Sequence, residues 1–93
     1  MIVGILWIDV RLGSSNSLKD KRRIIKSLTT RIRNSFNVSI SEVGCQDLWQ
    51  RSELGVAFLT TDVRFAQSVL AKIVDFVERH RDITLIDSKI EII

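Results

Sequence analysis

The chain contains 93 residues, of which 45% are hydrophobic and 27% are charged, and its net charge is +3. A chain of this length holds one hydrophobic core, so we expect a single domain over residues 1–93. The same balance excludes a disordered chain, which would be richer in charge and poorer in apolar residues. The presence of only one cysteine, Cys45, and only one histidine, His80, excludes an internal disulfide and a structural zinc site.

The apolar run near the N-terminus is too short for a membrane-spanning helix. It stops at Asp9, whereas crossing a bilayer requires roughly 20 apolar residues. The run also lacks the basic residues and the cleavage site of a secretory leader. We therefore interpret it as a strand and expect a cytoplasmic protein that does not bind membranes.

The first half of the chain predicts a strand, a helix and a second strand. Residues 2–12 are apolar and rich in β-branched side chains, and the Gly, Ser and Asn residues at 13–17 predict a loop after this strand. Ser17 is a preferred helix N-cap, and apolar residues then recur at helical spacing as far as Asn34. Val38 and Ile40 alternate with serines, which is the period of a strand with one buried face.

The second half predicts a strand, a helix and a last strand. Residues 42–50 lead to a third strand at 54–61, Asp62 is the expected cap of a second amphipathic helix to about His80, and the last strand spans 82–93. The order β-α-β-β-α-β with short connections is that of the α+β ferredoxin-like sandwich. We therefore expect a four-stranded antiparallel sheet with two helices on one face.

Both faces of the central strands are predicted to be apolar. Apolar side chains occupy both alternating sets of positions within residues 2–10, and the third strand repeats this at 54–59. Only one sheet face meets the helices in this topology. Because a large apolar face is normally buried against a partner, the pattern predicts a homodimer that covers the open sheet faces or the strand edges.

Positive charge is concentrated in the first predicted helix. Residues 17–36 hold seven Lys or Arg and one acid, so this segment carries +6 and the other residues carry −3. On a helical wheel most of these cations fall within an arc of about 60°, opposite the apolar stripe. They form a ridge about 20 Å long, which consists of Lys19, Arg22, Lys26 and Arg33, with Arg23 beside them.

This basic ridge has two interpretations. A charged outer face keeps many helices solvated, which is the ordinary role of such a face. A surface that only keeps a protein soluble, however, normally mixes acidic and basic side chains. A ridge with almost no acids is instead suited to bind the phosphates of a nucleic-acid backbone.

Lys21 points to a different candidate site at the start of the same helix. Its wheel position lies near the apolar stripe, so we expect its stem to follow the edge of the core and its ammonium to emerge beside the serine-rich loop. A phosphate or carboxylate would there meet helix N-terminal amides, hydroxyls and lysines. This anion-binding set is Ser14, Ser15, Ser17, Lys19 and Lys21. The alternative is an ordinary capped helix without a ligand.

Trp49 lies in the polar segment 46–51, where an aromatic side chain either packs over the sheet edge or meets a partner. A nucleic-acid base stacked on Trp49, with Arg51 nearby, is one such contact, and a dimer contact is another. Stacking on the sheet face itself is not expected, because residues 54–61 lack the aromatic spacing of RNA-recognition motifs.

No catalytic constellation is recognisable in the sequence. It contains no tyrosine, no glycine-rich phosphate loop and no cluster of metal ligands. Cys45 has no identifiable base, and we expect His80 to lie on the inner side of the last turn of the second helix. We therefore expect neither an enzyme nor a bound cofactor or metal.

Three blocks of sequence are specific enough to carry a family resemblance. They are Ser-Leu-Lys-Asp-Lys-Arg-Arg at 17–23, Phe-Asn-Val-Ser-Ile-Ser-Glu-Val-Gly at 36–44 and Gln-Asp-Leu-Trp-Gln-Arg at 46–51. The chain resembles the bacterial YlxP-like family, a domain family of unknown function, over essentially its whole length. This resemblance implies a ferredoxin-like fold, a cytoplasmic location and genes found among those for translation and ribosome-maturation factors, but no activity. The family's motif positions correspond to Ser17, Leu18, Lys19, Lys21, Arg22, Gln46, Asp47, Leu48 and Trp49.

Together these features favour an RNA-binding or ribosome-associated module. The basic ridge and Lys21 would contact phosphates, and Trp49 and Arg51 would add local contacts. The alternative, from a different functional class, is a dimeric protein-interaction domain that binds an acidic protein through the same ridge. Binding of a small anion at the N-terminus of the first helix is a third hypothesis.

Overall fold

The computed structural model describes residues 1–93, and it contains the six predicted elements in the predicted order. They are β1 (Ile2–Arg11), α1 (Leu18–Ser35), β2 (Ser39–Gly44), β3 (Arg51–Thr60), α2 (Val63–Glu78) and β4 (Thr84–Ile92). Neither helix is long and apolar enough to cross a membrane.

The four strands form one antiparallel sheet in the order β2-β3-β1-β4. The pairing of β1 with β3 runs without interruption from Ile2 opposite Thr60 to Arg11 opposite Arg51. The α+β ferredoxin-like sandwich and the central position of the first and third strands are therefore confirmed.

Both helices begin at the residues that the sequence predicts as caps. The Ser17 hydroxyl accepts a hydrogen bond from the amide of Asp20 at 3.0 Å, and the Asp62 carboxylate accepts from the amides of Arg64 and Phe65. These bonds satisfy amides that have no partner within the helix.

Several element ends differ from the predicted ones, and β4 begins at Thr84, two residues after the predicted start. β3 begins at Arg51, three residues early, because the polar segment 51–53 pairs with the end of β1 although it lacks an apolar alternation. β2 extends to Gly44 through an irregular pairing with β3. α2 ends at Glu78, so the placement of His80 in its last turn was wrong.

The hydrophobic core lies between the helices and one face of the sheet. The even-numbered residues of β1 from Leu6 to Val10 are fully buried there, and Leu54 and Val56 of β3 lie beside them. Each helix contributes apolar side chains that recur at helical spacing. They are Ile24, Ile25, Leu28 and Ile32 on α1 and Ala66, Val69, Leu70, Ile73 and Val77 on α2.

The opposite sheet face, which we call the open face, is also apolar at its centre. Val3, Ile5 and Trp7 of β1 are only half-buried, while Ala57 and Leu59 beside them on β3 are exposed, Leu59 by 61%. The prediction that the central strands are apolar on both faces is confirmed.

Candidate functional site

The solvent-facing side of α1 carries the basic ridge. All five side chains of the predicted set are exposed, and they are Lys19, Arg22, Arg23, Lys26 and Arg33. Since the helix rises 1.5 Å per residue, the ridge spans about 21 Å from its first to its last cation. It is convex, because it lies on the outer side of a helix that packs on the sheet through its other side.

Two of the five cations already have a partner in the protein. The Arg23 guanidinium lies 3.7 Å from the carboxylate of Asp20 in an exposed ion pair, and Arg33 donates a hydrogen bond of 2.7 Å to the carbonyl of Ile40 on the edge strand β2. Lys19, Arg22 and Lys26 have no carboxylate within 4.0 Å. Arg33 keeps its positive charge, because its partner is a neutral carbonyl, so Arg23 is the one ridge cation whose charge a carboxylate compensates.

Lys21, which the sequence also predicts to contact phosphates, does not belong to this surface. Its side chain is only 1% exposed, and its ammonium donates to the carbonyl of Cys45 and lies 3.0 Å from the carboxylate of Glu42. Glu42 in turn accepts a hydrogen bond of 2.6 Å from the hydroxyl of buried Ser52. The stem follows the core edge as predicted, but the ammonium reaches the β2–β3 connection instead of solvent. It is not available to a phosphate.

A second polar cluster continues this network onto the open face. The Glu53 carboxylate accepts hydrogen bonds from the indole N–H of Trp7 at 3.0 Å and from the thiol of Cys45 at 3.6 Å. Gly44 makes room for that carboxylate, because a Cβ atom there would overlap a Glu53 carboxylate oxygen. Partial burial raises the pKa of the Cys45 thiol, and the bond to Glu53 raises it further. The thiol therefore stays protonated at neutral pH and is a poor nucleophile.

Several groups of the predicted anion-binding set have partners within the protein. Ser15 is fully buried and its hydroxyl donates to the carbonyl of Ser17, while the Ser17 hydroxyl caps the helix. The carboxylate of Asp20 accepts from the amide of Asn16 and so brings negative charge to the helix N-terminus. With Lys21 buried, only Ser14 and Lys19 of the predicted set remain exposed and without a side-chain partner. The Ser17 cap is the one expected for an ordinary capped helix, and anion binding at this loop stays a prediction.

Trp49 and Arg51 lie together, but not on the ridge. They line a groove of about 780 Å³ at the end of the open face with Arg11, Leu48 and Ile86, whereas the ridge belongs to the helical layer. Trp49 is 54% exposed. Arg51 is held by two hydrogen bonds to Asp9, of 2.9 and 2.7 Å, which lower the pKa of that carboxyl below its usual value of 3.8. Part of the positive charge of Arg51 is therefore already compensated by Asp9.

Sequence reasoning missed a second basic surface, which lies where α1 and α2 meet. Arg31, Lys72, Arg79 and Arg81 line a groove of about 530 Å³ together with His80 and Phe76. Only the packing of the two helices brings Arg31 next to cations that follow it by forty residues or more in the sequence. No three His, Cys, Asp or Glu side chains are placed to hold a metal ion.

Comparison with known proteins places the chain in a family. Residues 3–90 match the family described as "Protein of unknown function (DUF503)". The chain belongs to this family. A relative from Bacillus subtilis (strain 168), "Uncharacterized protein YlxP", is 40% identical over 87 residues, which cover 89% of this chain and 95% of the relative. The YlxP-like resemblance predicted from the three sequence blocks is confirmed, and neither description names an enzymatic activity.

Replacing Lys21 by methionine tests whether its ammonium is structural. The substitution keeps most of the apolar stem but leaves Glu42 and the Cys45 carbonyl without their cation, so we expect the free energy of unfolding to fall by about 2–3 kcal/mol. Lys19→Met is the matched control two residues away on the exposed side, and it should change stability by less than about 0.5 kcal/mol. Urea unfolding measures both, and equal small effects of the two substitutions would contradict the buried role of Lys21.

The Asp9–Arg51 pair makes stability depend on acid pH. Because the folded-state pKa of Asp9 lies below the value of about 3.8 that it has when unfolded, the ionised carboxylate stabilises the fold above that pH, and this contribution is lost as pH falls through the folded-state value. The difference in Tm between the native protein and Asp9→Asn should be largest at neutral pH and shrink below pH 3.8. Asp47→Asn, at an exposed loop carboxylate without an ion pair, should show no such trend. A difference in Tm between the native protein and Asp9→Asn that stays constant with pH would contradict this interpretation.

Proposed function

We propose that this protein binds RNA and that the basic ridge on α1 contacts the phosphate backbone. The observation that carries this proposal is the three exposed cations at the start of the helix, Lys19, Arg22 and Lys26, which have no carboxylate within 4.0 Å. Binding to them releases counterions from the RNA, and no internal ion pair has to be broken first.

The shape of the ridge suits a polyanion that is itself extended. Its cations follow one another along about 21 Å of a convex surface, so several successive phosphates meet one cation each. Arg33 keeps N–H groups free for the same surface while one of them binds the edge strand. The contacts are to phosphates and not to base edges, so this surface recognises the backbone of structured RNA with little dependence on sequence.

We propose that this protein acts as a binding module and not as an enzyme. Cys45, the one thiol in the chain, has a raised pKa and donates to Glu53, which is the opposite of an activated nucleophile. The YlxP-like resemblance, with its association to translation and ribosome maturation, supports the cytoplasm as the location and the ribosome as the source of the RNA.

We also propose that two copies pair through their open faces. The apolar centre of this face, from Val3 and Ile5 to Ala57 and Leu59, lies on the two central strands and has no covering layer within the chain. A two-fold arrangement would bury the same patch on both copies, since a dimer interface of this kind is self-complementary. The ridges, which lie on the other layer, would then face outward from both sides of the dimer.

Removing two charges from the ridge should weaken RNA binding and its dependence on salt. For Arg22→Gln with Lys26→Gln we expect the affinity for an RNA hairpin at low salt to fall by about tenfold or more. The slope of log K against the log of the salt concentration should become less steep by about 1.5, because each phosphate contact contributes about 0.7–0.9 to it.

The control removes an exposed charge on the first turn of α2, through Arg64→Gln, and should leave the slope unchanged. Fluorescence anisotropy over a salt series measures both proteins. If the double variant and Arg64→Gln bind RNA equally well, the ridge does not contact RNA, and its partner is then sought among acidic proteins by pull-downs that survive nuclease treatment.

The dimer has its own test. We expect sedimentation equilibrium to give twice the chain mass at micromolar concentration, and Leu59→Lys to shift the protein to monomer, because a charge at the centre of the interface is costly to bury. Leu59 is already 61% exposed in the single chain, so the variant should keep its fold. Val63→Lys, at an exposed apolar side chain on the first turn of α2 and therefore on the helical layer, serves as the control. A monomeric native protein, or equal behaviour of the two variants, would rule out this interface.

A further inference from the structure

The groove between α1 and α2 is lined by four cationic side chains. Arg31 enters it from α1, Lys72 from α2, Arg79 from the C-cap of α2 and Arg81 from the segment before β4. We call it the interhelical groove. Its volume of about 530 Å³ lies within the range of small-molecule binding sites.

The four cations of the interhelical groove are not neutralised by the protein. Ion pairs within 4.0 Å occur at only three places in the molecule, and none of them involves these residues. Asp75 is the one acid in the lining, so the groove carries +3 with His80 neutral. The negative end of the α2 dipole accounts for a cation at Arg79 or Arg81, but Arg31 and Lys72 each lie at least one turn before the end of their own helix.

The groove also holds its donors in defined positions. The Arg31 guanidinium lies over the ring of Phe76 at 5.2 Å from its centroid, and that ring is fixed by an edge contact with Phe36 at 6.4 Å. In His80 the Nδ1 atom accepts a hydrogen bond from the amide of Asp82 at 3.2 Å. The neutral ring therefore carries its proton on Nε2, which is a further donor.

We propose that the interhelical groove binds a phosphomonoester or polyphosphate group. A phosphodiester carries one negative charge, so a single cation of the convex ridge is enough to pair with it. A phosphomonoester carries about 1.5 to 2 negative charges at neutral pH and presents three strong acceptor oxygens. Donors that converge on one concavity from two helices and a loop match such a compact, multiply charged anion. The terminal phosphate of a nucleic acid and a free nucleoside polyphosphate share this chemistry. The site does not depend on the ridge or on the proposed RNA contact.

Titration with inorganic pyrophosphate tests the site directly. By isothermal calorimetry we expect Lys72→Gln with Arg79→Gln to weaken binding by about tenfold or more, since each removes a charge-assisted hydrogen bond. Asp75→Asn should instead strengthen binding severalfold, because it removes the one repulsive charge in the lining. Arg64→Gln, an exposed cation on the first turn of the same helix, should leave binding unchanged.

Two further comparisons identify the source of the phosphate. Tighter binding of an RNA oligonucleotide with a 5′-phosphate than of the same oligonucleotide with a 5′-hydroxyl would support a nucleic-acid terminus. Binding of ADP, with no difference between the oligonucleotides, would support a free nucleotide.

No heat of binding at millimolar pyrophosphate, or equal affinity in Lys72→Gln with Arg79→Gln and in Arg64→Gln, would overturn the proposal. Arg22→Gln with Lys26→Gln should bind pyrophosphate normally, so a failure of the ridge and a failure of the groove are measured separately.

Discussion

The orientation of α1 depends on one buried cation. The Lys21 ammonium joins the first turn of α1 to β2 through Glu42 and to the following loop through the Cys45 carbonyl, and Glu42 extends the network to Ser52 on β3. A lysine without these partners would not remain in an apolar environment at 1% exposure. Cys45 adopts a positive φ of 58°, which turns its carbonyl and its thiol to different partners, Lys21 and Glu53.

Once Lys21 is directed inward, the other cations of α1 are divided between two surfaces. Lys19, Arg22, Lys26 and Arg33 face solvent on the convex side of the helix, while Arg31 lies beside α2 and over Phe76. The ridge and the interhelical groove are therefore different electrostatic environments formed by one helix. The ridge offers separate cations along a line, whereas the groove brings cations from several elements together. An extended polyanion suits the first environment and a compact one suits the second.

Much of the fold was predictable because local and tertiary preferences agree. Ser17 and Asp62 cap helices in the structure as their side chains predict, and the apolar periods of both helices coincide with the residues that they bury. The predictions failed where pairing overrides local pattern. Arg51, Ser52 and Glu53 have no strand-like alternation, yet they extend β3 because the end of β1 lies opposite them. At the candidate sites, the exposed ridge was predictable from the wheel, but the destination of the Lys21 ammonium was not, since Glu42 follows it by twenty-one residues.

The sequence by itself determined the α+β architecture, the amphipathic faces of the two helices, the one-sided charge of α1 and the family. All of these follow from short-range spacing or from contiguous blocks of residues. Only the tertiary structure decided which lysine is buried, that Trp49 and Arg51 lie on the layer opposite the ridge, and that Arg31 meets Lys72 and Arg79 in one groove. These features depend on the distances between elements that are remote in sequence, and those distances are set by how the helices pack on the sheet and not by the local pattern of any one element.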